Sequence, residues 1–249
     1  MSFAGFSPNR PRMTEKTLEG RIALVTGASR GIGAATAEAL AAAGAHVILT
    51  ARTADKLEAV EEAIHAAGGT ATIAPMDLTE TDAIGKLAAA VTERWGKLDI
   101  LVLNAAMLGT LTPVHSIDVK EFSKLLTLNL LAPQAMIAAF DPLLRKSEAG
   151  RVVAVTSSVG AKPRAYWGAY GASKAALETI TLAYGDEVAR LTPIRVAIVD
   201  PGATATVMRV RAFPGEDPAT LKQPSVVGEA ITALMASDFE TGHRLELSR

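Results

Sequence analysis

The chain has 249 residues, of which 49% are hydrophobic and 20% are charged, a composition typical of a globular protein with a sizeable core. Its formal net charge of -1 provides no basic field that would attract nucleic acid or an anionic membrane, so we expect a small-molecule partner. The absence of cysteine excludes disulfides, thiolate metal sites and a cysteine nucleophile, and a reducing, cytoplasmic location is expected.

The order of predicted elements indicates one α/β domain over residues 20–249. Residues 1–19 contain prolines and basic residues but no apolar run, which predicts a flexible extension and not a secretory signal. Further on, short β-branched runs alternate with longer stretches of helical period, the pattern of a parallel sheet covered on both faces. The predicted strands span residues 22–26, 46–51, 70–74, 100–104, 152–156, 195–199 and 244–247. The predicted helices span residues 32–43, 54–67, 80–95, 119–144, 170–190 and 226–235. No membrane span is predicted, because Asn104, Pro113 and His115 interrupt the best uncharged stretch.

The first predicted strand runs directly into a glycine-rich turn, from Gly27 through Gly31 to Gly33, where the first helix opens. Such a turn presents free backbone N–H groups and the positive end of a helix to a pyrophosphate, and glycine is needed where a Cβ would collide with the ligand. The spacing Gly-x-x-x-Gly-x-Gly differs from the usual dinucleotide pattern, so three glycines in an ordinary tight turn are the alternative. A P-loop is excluded because no Lys-Ser or Lys-Thr follows the last glycine.

The second predicted strand ends at Ala51 and Arg52, where a dinucleotide fold selects its ribose. An acid at this place would repel a 2′-phosphate, whereas an arginine attracts it with a planar, permanently charged group. Arg52, with Arg30 in the glycine turn, therefore predicts NADP(H) in preference to NAD(H), although each arginine alone could be a solvated surface charge.

A lid is predicted near residues 204–224. The part from 209 to 224 contains Phe213, three prolines and alternating charges, which break the helical period. A plain surface loop is the alternative, but long irregular loops in compact domains are more often functional. Tyr166, Trp167 and Phe213 could wall an apolar substrate pocket or could simply pack locally.

Several motifs together resemble the short-chain dehydrogenase/reductase family over residues 20–247. They comprise the cofactor turn with Thr26, Gly27, Gly31 and Gly33, the adenine-contacting acid Asp77, the element Leu103-Asn104-Ala105-Ala106, the catalytic tetrad Asn129, Ser157, Tyr170 and Lys174, and the nicotinamide turn with Pro201, Gly202, Thr206 and Met208. The resemblance implies a single Rossmann-like, doubly wound parallel sheet of about seven strands in the order 3-2-1-4-5-6-7. It also implies an oxidoreductase that transfers hydride between NADP(H) and a small carbonyl or alcohol substrate.

The cofactor-binding residues that follow from the turn, the arginines and the resemblance form one set. They are Gly27, Ser29, Arg30, Gly31, Ile32, Gly33, Arg52, Asp77, Leu78, Asn104, Ala105, Tyr170, Lys174, Pro201, Gly202, Thr204 and Thr206.

The tetrad contains the groups that carbonyl reduction and alcohol oxidation need. Tyr170 can give or take a proton if its pKa is brought towards neutrality, and Lys174, one helical turn further on, would favour the phenolate. The family places its serine thirteen residues before the tyrosine, which selects Ser157 over Ser158. The resemblance implies that Ser157 binds the substrate oxygen, that Lys174 also holds the nicotinamide ribose, and that Asn129 helps hold a water. Taken alone, Asn129 could instead satisfy a neighbouring backbone group.

Other features concern assembly, metals and competing functions. The carboxyl end lacks the family's closing Gly-Gly, but the pairing of helices between subunits in the family implies a homo-oligomer, either a dimer or a tetramer. The four histidines share no ligand-like spacing, so no metal is expected. Residues 164–170 and 211–218 resemble a bacterial branch whose substrates are largely unassigned. A catalytically weak, dinucleotide-sensing protein of the same fold is the alternative function, whereas the short lid disfavours a nucleotide-sugar epimerase.

Overall fold

The computed structural model describes residues 16–80 and 82–247 and is built around one sheet. Its strands are β1 (Ile22–Thr26), β2 (His46–Ala51), β3 (Thr70–Pro75), β4 (Ile100–Leu103), β5 (Arg151–Val155), β6 (Arg195–Asp200) and β7 (His243–Glu246). They lie in the order β3-β2-β1-β4-β5-β6-β7, and each neighbouring pair is parallel. The predicted strand order and the α/β class are confirmed.

Helices cover both faces of the sheet. They are α1 (Gly31–Ala42), α2 (Ala54–Ala66), α3 (Ala83–Trp95), α4 (Val119–Leu126), α5 (Ala132–Leu144), α6 (Ser158–Ala161), α7 (Gly168–Val188), α8 (Val207–Ala212) and α9 (Pro224–Ala236). Apolar residues of α1, α2 and α9 form the core on one face, and those of α3, α5 and α7 form the core on the other. Within residues 16–80 and 82–247, none of the helices combines the length and apolar character that a membrane crossing requires.

The strands are apolar nearly throughout because both sides of each central strand are buried. Successive side chains of a strand point to opposite faces. In β1, Ala23 and Val25 therefore join the core with α1, whereas Ile22 and Leu24 join the core with α5. This arrangement leaves the carboxyl ends of the parallel strands facing one edge, where the loops of an α/β sheet form a crevice.

Two predicted elements differ from the structure. The predicted helix 119–144 is divided into α4 and α5 by a π-helical segment, Thr127–Leu131, in which the helix makes one wider turn. The segment 204–224, expected to be irregular, contains α8 and a short 3-10 turn, Pro218–Thr220. Polar caps explain both short elements, because Thr206 accepts a hydrogen bond from the amide of Arg209, and Asp217 accepts one from that of Ala219.

The amino-terminal end of the domain lies before residue 20. Residues 1–15 of the predicted flexible extension are outside the described residues. Residues 17–20 form a turn in which Leu18 is buried, with 1% of its surface exposed, and its amide donates to the carbonyl of Ala43 at the end of α1. The last residues of the predicted extension are therefore part of the packed domain.

Candidate active site

The glycine turn between β1 and α1 has a geometry that requires glycine. Gly27 and Gly31 have φ angles of 67° and 57°, a region that other residues rarely adopt. A Cβ on Gly33 would lie 2.3 Å from the carbonyl oxygen of Gly27 and 2.5 Å from Nδ2 of Asn104. Arg30, which precedes α1, provides no side-chain cap. The first turn of α1 can therefore direct its amides towards an anionic ligand.

Asn104 supports this turn from the end of β4. Its Nδ2 donates to the carbonyl of Thr26 at 2.9 Å, while the hydroxyl of Thr26 accepts bonds from the backbone amides of Asn104 and Ala105 at 2.9 and 3.0 Å. The same hydroxyl donates to the carbonyl of Val102. Asn104, predicted to bind the cofactor, thus uses its side-chain amide to hold the shape of the glycine turn.

The ends of β2 and β3 bring Arg52 and Asp77 together. The pKa of Asp77 is lowered, chiefly because its carboxylate accepts a hydrogen bond from the amide of Thr79, with further effects from the Thr79 hydroxyl and from the positive charge of Arg52. Arg52 and Arg30 are both exposed, and Leu78 is buried beneath this edge. No carboxylate follows β2 directly, since its last residue, Ala51, leads into Arg52.

The loop after β6 returns to the glycine turn. Gly202 has a φ of 61°, and a Cβ there would lie 2.3 Å from the carbonyl of Leu247. The buried hydroxyl of Thr204 donates to the carbonyl of Pro201 at 3.1 Å. A methyl carbon of Thr206 lies 3.4 Å from the position that a Cβ on Gly31 would take. The loop after β6 therefore lies beside the glycine turn, and both were predicted to bind the cofactor.

Ser157 follows β5 and opens α6 without capping it. Its side chain makes no cap bond and no hydrogen bond with any residue in the described ranges, and it is half-buried, whereas Ser158 is exposed. Ser157 therefore stands at the start of α6 without a side-chain capping bond. Its hydroxyl is free to donate to a ligand at the carboxyl edge of the sheet.

Tyr170 lies in the first turn of α7, with most of its ring buried. Its hydroxyl donates a weak hydrogen bond to the sulfur of Met208, which lies 3.9 Å away in the segment predicted to be a lid. Burial raises the pKa of Tyr170, and the negative charge of Asp200 raises it further. The pKa of Tyr170 is therefore raised and not brought towards neutrality, although the ammonium of Lys174, which donates to the carbonyl of Val155, lies 5.8 Å from the centre of the tyrosine ring.

Lys174 is buried on the same side of α7. Its ammonium donates to the carbonyl of Val155 at 2.8 Å, which ties α7 to the end of β5. Burial lowers the pKa of Lys174 to about 8, and the negative charge of Glu178 opposes this shift. As an ammonium, Lys174 has further N–H groups beside the one bonded to Val155 that can donate to a ligand.

Glu178 connects three elements behind Lys174. Its carboxylate accepts a hydrogen bond from the hydroxyl of Thr156, the residue before Ser157. It also accepts bonds from both terminal nitrogens of Arg244 in β7, at 2.6 and 3.3 Å. This network is not among the contacts predicted from sequence, although an acid four residues after Lys174 indicates a pair on one helix face.

Asn129 lies in the π-helical segment and is fully buried. Its Oδ1 accepts from the amide of Met107, and its Nδ2 donates to the carbonyl of Met107, both at 2.9 Å. Nδ2 also lies 3.1 Å from the hydroxyl of Ser173, which donates to the carbonyl of Tyr170 at 2.7 Å. Asn129 thus satisfies a neighbouring backbone group and, through Ser173, supports the first turn of α7.

An aromatic cluster covers Tyr170. The rings of Trp167 and Tyr170 meet edge to face with centres 5.9 Å apart, and Phe213 of the lid lies 5.6 Å from Trp167 at an angle of 30°. Arg209 lies 3.7 Å from the centre of the Phe213 ring and forms a bidentate ion pair with Glu216. The segment predicted to be a lid therefore packs against Trp167 and Tyr170. Tyr166 is mostly exposed and lies outside these ring contacts.

In the described part of the chain, no group of three or more His, Asp or Glu side chains is placed to hold a metal ion.

Comparisons with known proteins agree with this architecture. A family model described as short chain dehydrogenase matches residues 21–217. The curated "uncharacterized oxidoreductase YciK" of Escherichia coli K12 is 37% identical over 224 residues, which are 89% of this chain and 88% of that protein. A Shigella flexneri protein solved as a short chain dehydrogenase complexed with NADP has a TM-score of 0.89 and 36% identity, covering 93% of this chain and 98% of its own. A metagenomic short-chain oxidoreductase in complex with NADP has a TM-score of 0.80 and 34% identity, covering 94% and 99%.

Proposed function

Because the chain belongs to the short-chain dehydrogenase/reductase family, we propose that it is an NADP(H)-dependent oxidoreductase that interconverts a small carbonyl compound and its alcohol. One observation carries this proposal: the buried phenol of Tyr170, the ammonium of Lys174 and the free hydroxyl of Ser157 all stand where β5 meets α7. These are the groups that a proton transfer coupled to carbonyl reduction needs.

The residues of the glycine turn fit a dinucleotide. A side chain at Gly33 would occupy the turn, and the amides of the first turn of α1 are suited to a pyrophosphate. Arg52 and Arg30 are exposed at the edge where a 2′-phosphate would lie, and no acid stands at the end of β2 to repel it. Two similar proteins were solved with NADP. NADP(H) is therefore the proposed cofactor in preference to NAD(H).

The proposed roles of the catalytic residues follow from their surroundings. The dinucleotide supplies the hydride in reduction and accepts it in alcohol oxidation. The raised pKa of Tyr170 keeps its phenol protonated, so it acts as the acid that delivers a proton to the carbonyl oxygen. Ser157 donates a hydrogen bond to the same oxygen as negative charge develops there. Lys174 holds the ribose hydroxyls and, as an ammonium, favours the phenolate that is left.

A substrate screen tests this proposal. Purified protein is incubated with aldehydes, ketones and quinones, and separately with alcohols, while the absorbance of the reduced nicotinamide is followed with NADPH and NADH in parallel. We expect turnover with a preference for NADPH. No turnover in either direction would contradict the proposed reaction, and a preference for NADH would overturn the roles of Arg30 and Arg52.

A dinucleotide-sensing protein of the same fold is the second candidate. The contact between Met208 and the Tyr170 hydroxyl favours it, since the reactive group is covered by the lid. The two candidates differ in the fate of bound NADPH when carbonyl compounds are added, because a sensor binds the cofactor and leaves its absorbance unchanged with each compound offered.

A further inference from the structure

We propose that the substrate is an aromatic carbonyl compound that bears a carboxylate, with its ring against Trp167 and its carboxylate on Arg164. This inference rests on the proposed function and names its substrate class. It comes from the difference between two arginines that both approach Phe213, a residue of the predicted lid whose ring contacts Trp167.

The two arginines near Phe213 differ in whether a carboxylate neutralises their charge. Arg209 and Arg164 lie 3.7 and 5.2 Å from the centre of the Phe213 ring. Glu216 neutralises Arg209 through two hydrogen bonds, so Arg209 anchors the lid. Arg164 is exposed and forms no ion pair with any residue of 16–80 or 82–247, so its charge is available to a ligand. A guanidinium with an open fork suits a carboxylate.

The backbone turn that carries Arg164 and Trp167 is conformationally restricted. Arg164 and Trp167 belong to one tight turn, in which the amide of Trp167 donates to the carbonyl of Arg164 at 3.1 Å. Between them, Tyr166 has a φ of 72°, a conformation that non-glycine residues rarely adopt, and its carbonyl accepts a bond from the amide of Thr112. Such strain persists only where surrounding contacts impose it. The backbone that carries both the guanidinium and the indole is thus held in one conformation.

The distances from Arg164 to Trp167 and from Trp167 to Tyr170 limit the size of the ligand. Arg164 lies 6.0 Å from the centre of the Trp167 ring, which in turn lies 5.9 Å from the centre of the Tyr170 ring, so the guanidinium is within about 12 Å of that ring. Trp167 contacts both, Phe213 lies 5.6 Å from Trp167, and the sulfur of Met208 accepts from the Tyr170 hydroxyl. Flat apolar groups stack well on such aromatic surfaces. We therefore expect a substrate ring against Trp167 to direct its carbonyl towards Tyr170 and its anion towards Arg164.

A binding experiment tests the site without turnover. The chain has two tryptophans, so Trp95→Phe leaves Trp167 as the single fluorescent reporter. In the presence of NADP⁺, we expect 4-methylbenzoate to quench Trp167 with a Kd about tenfold lower than that of neutral 4-methylbenzamide. Arg164→Gln should abolish this difference, and Arg190→Gln, which alters another exposed arginine, should preserve it. Equal affinities for acid and amide, or an unchanged difference in Arg164→Gln, overturn the inference.

A kinetic experiment separates this inference from the proposed function. We expect NADPH-dependent reduction of 4-carboxybenzaldehyde with a kcat/KM about tenfold above that of its methyl ester, and a loss of this ratio in Arg164→Gln. Equal reduction of both aldehydes, or an equal decrease for both in the variant, contradicts the carboxylate site and leaves the oxidoreductase function intact. Selective binding of the benzoate without reduction of either aldehyde contradicts the oxidoreductase function and supports the site.

Discussion

Replacement of Glu178 by glutamine should shift the pH dependence of activity through Lys174. Glutamine keeps an acceptor for the hydroxyl of Thr156 but removes the charge that favours the Lys174 ammonium and pairs with Arg244. Lys174 of the native protein has a pKa of about 8. Activity that requires its ammonium is therefore maximal well below this pKa and is lost as the pH rises through it.

The size of the effect follows from that pKa. The loss of a nearby opposite charge should lower the pKa of Lys174 by about one unit, equivalent to about 1.4 kcal/mol. At about pH 8, roughly half of the lysine is protonated in the native protein and about a tenth in Glu178→Gln. We therefore expect kcat/KM for NADPH-dependent reduction to fall about fivefold at that pH and to change little near about pH 6.

The assay is a pH profile of kcat/KM for the most active aldehyde of the screen, with thermal unfolding recorded for each variant. Arg244→Gln should have the opposite effect, because it removes a positive charge from the other side of the Glu178 carboxylate. The pKa of Lys174 should then rise, and the loss of kcat/KM should move to higher pH. An equal decrease in Glu178→Gln across all pH values would refute the electrostatic reasoning and leave Glu178 with a purely structural role.

Three further substitutions examine the cofactor turn, the cofactor preference and the helix support. Gly33→Ala should raise the Kd for NADPH at least about tenfold in a fluorescence titration, since the Cβ meets backbone atoms, whereas Gly85→Ala in open space should leave it unchanged. Arg52→Asp should lower the ratio of kcat/KM with NADPH to that with NADH by about tenfold or more, and an unchanged ratio would remove Arg52 from the site. Asn129→Leu should lower the free energy of unfolding in urea by about 2–4 kcal/mol, because both backbone groups of Met107 lose their buried partner; a loss below about 0.5 kcal/mol would contradict this role.

The strands and helices could be predicted because they differ in hydrophobic period, whereas the strand order followed from the resemblance to the family. The glycine turn could be predicted from the spacing of its glycines, since a Cβ on Gly33 would meet the carbonyl oxygen of Gly27 in the same turn. The wider helical turn at Asn129 could not, and the side chain of Asn129 bonds to Met107, a partner twenty-two residues earlier that only the fold brings near.

The electrostatics around Tyr170 were also beyond sequence reasoning. A spacing of four residues places Lys174 on the same face of α7, but the direction of its ammonium depends on the carbonyl of Val155 in another element. The network of Glu178 similarly requires β7 to lie beside β6, which brings in Arg244. Residue types and spacing therefore predict the candidate site, whereas the pKa values of its groups depend on partners that only the fold brings near.

The most direct test of the proposed chemistry is Tyr170→Phe. The hydroxyl of Tyr170 makes only a weak bond to Met208, so its removal should leave the fold and the Kd for NADPH within about twofold of the native values. With saturating NADPH, we expect the rate of carbonyl reduction to fall at least about 100-fold, because the acid that protonates the carbonyl oxygen is gone. A variant that binds NADPH and reduces the carbonyl substrate at the native rate would contradict the assignment of Tyr170 as the proton donor.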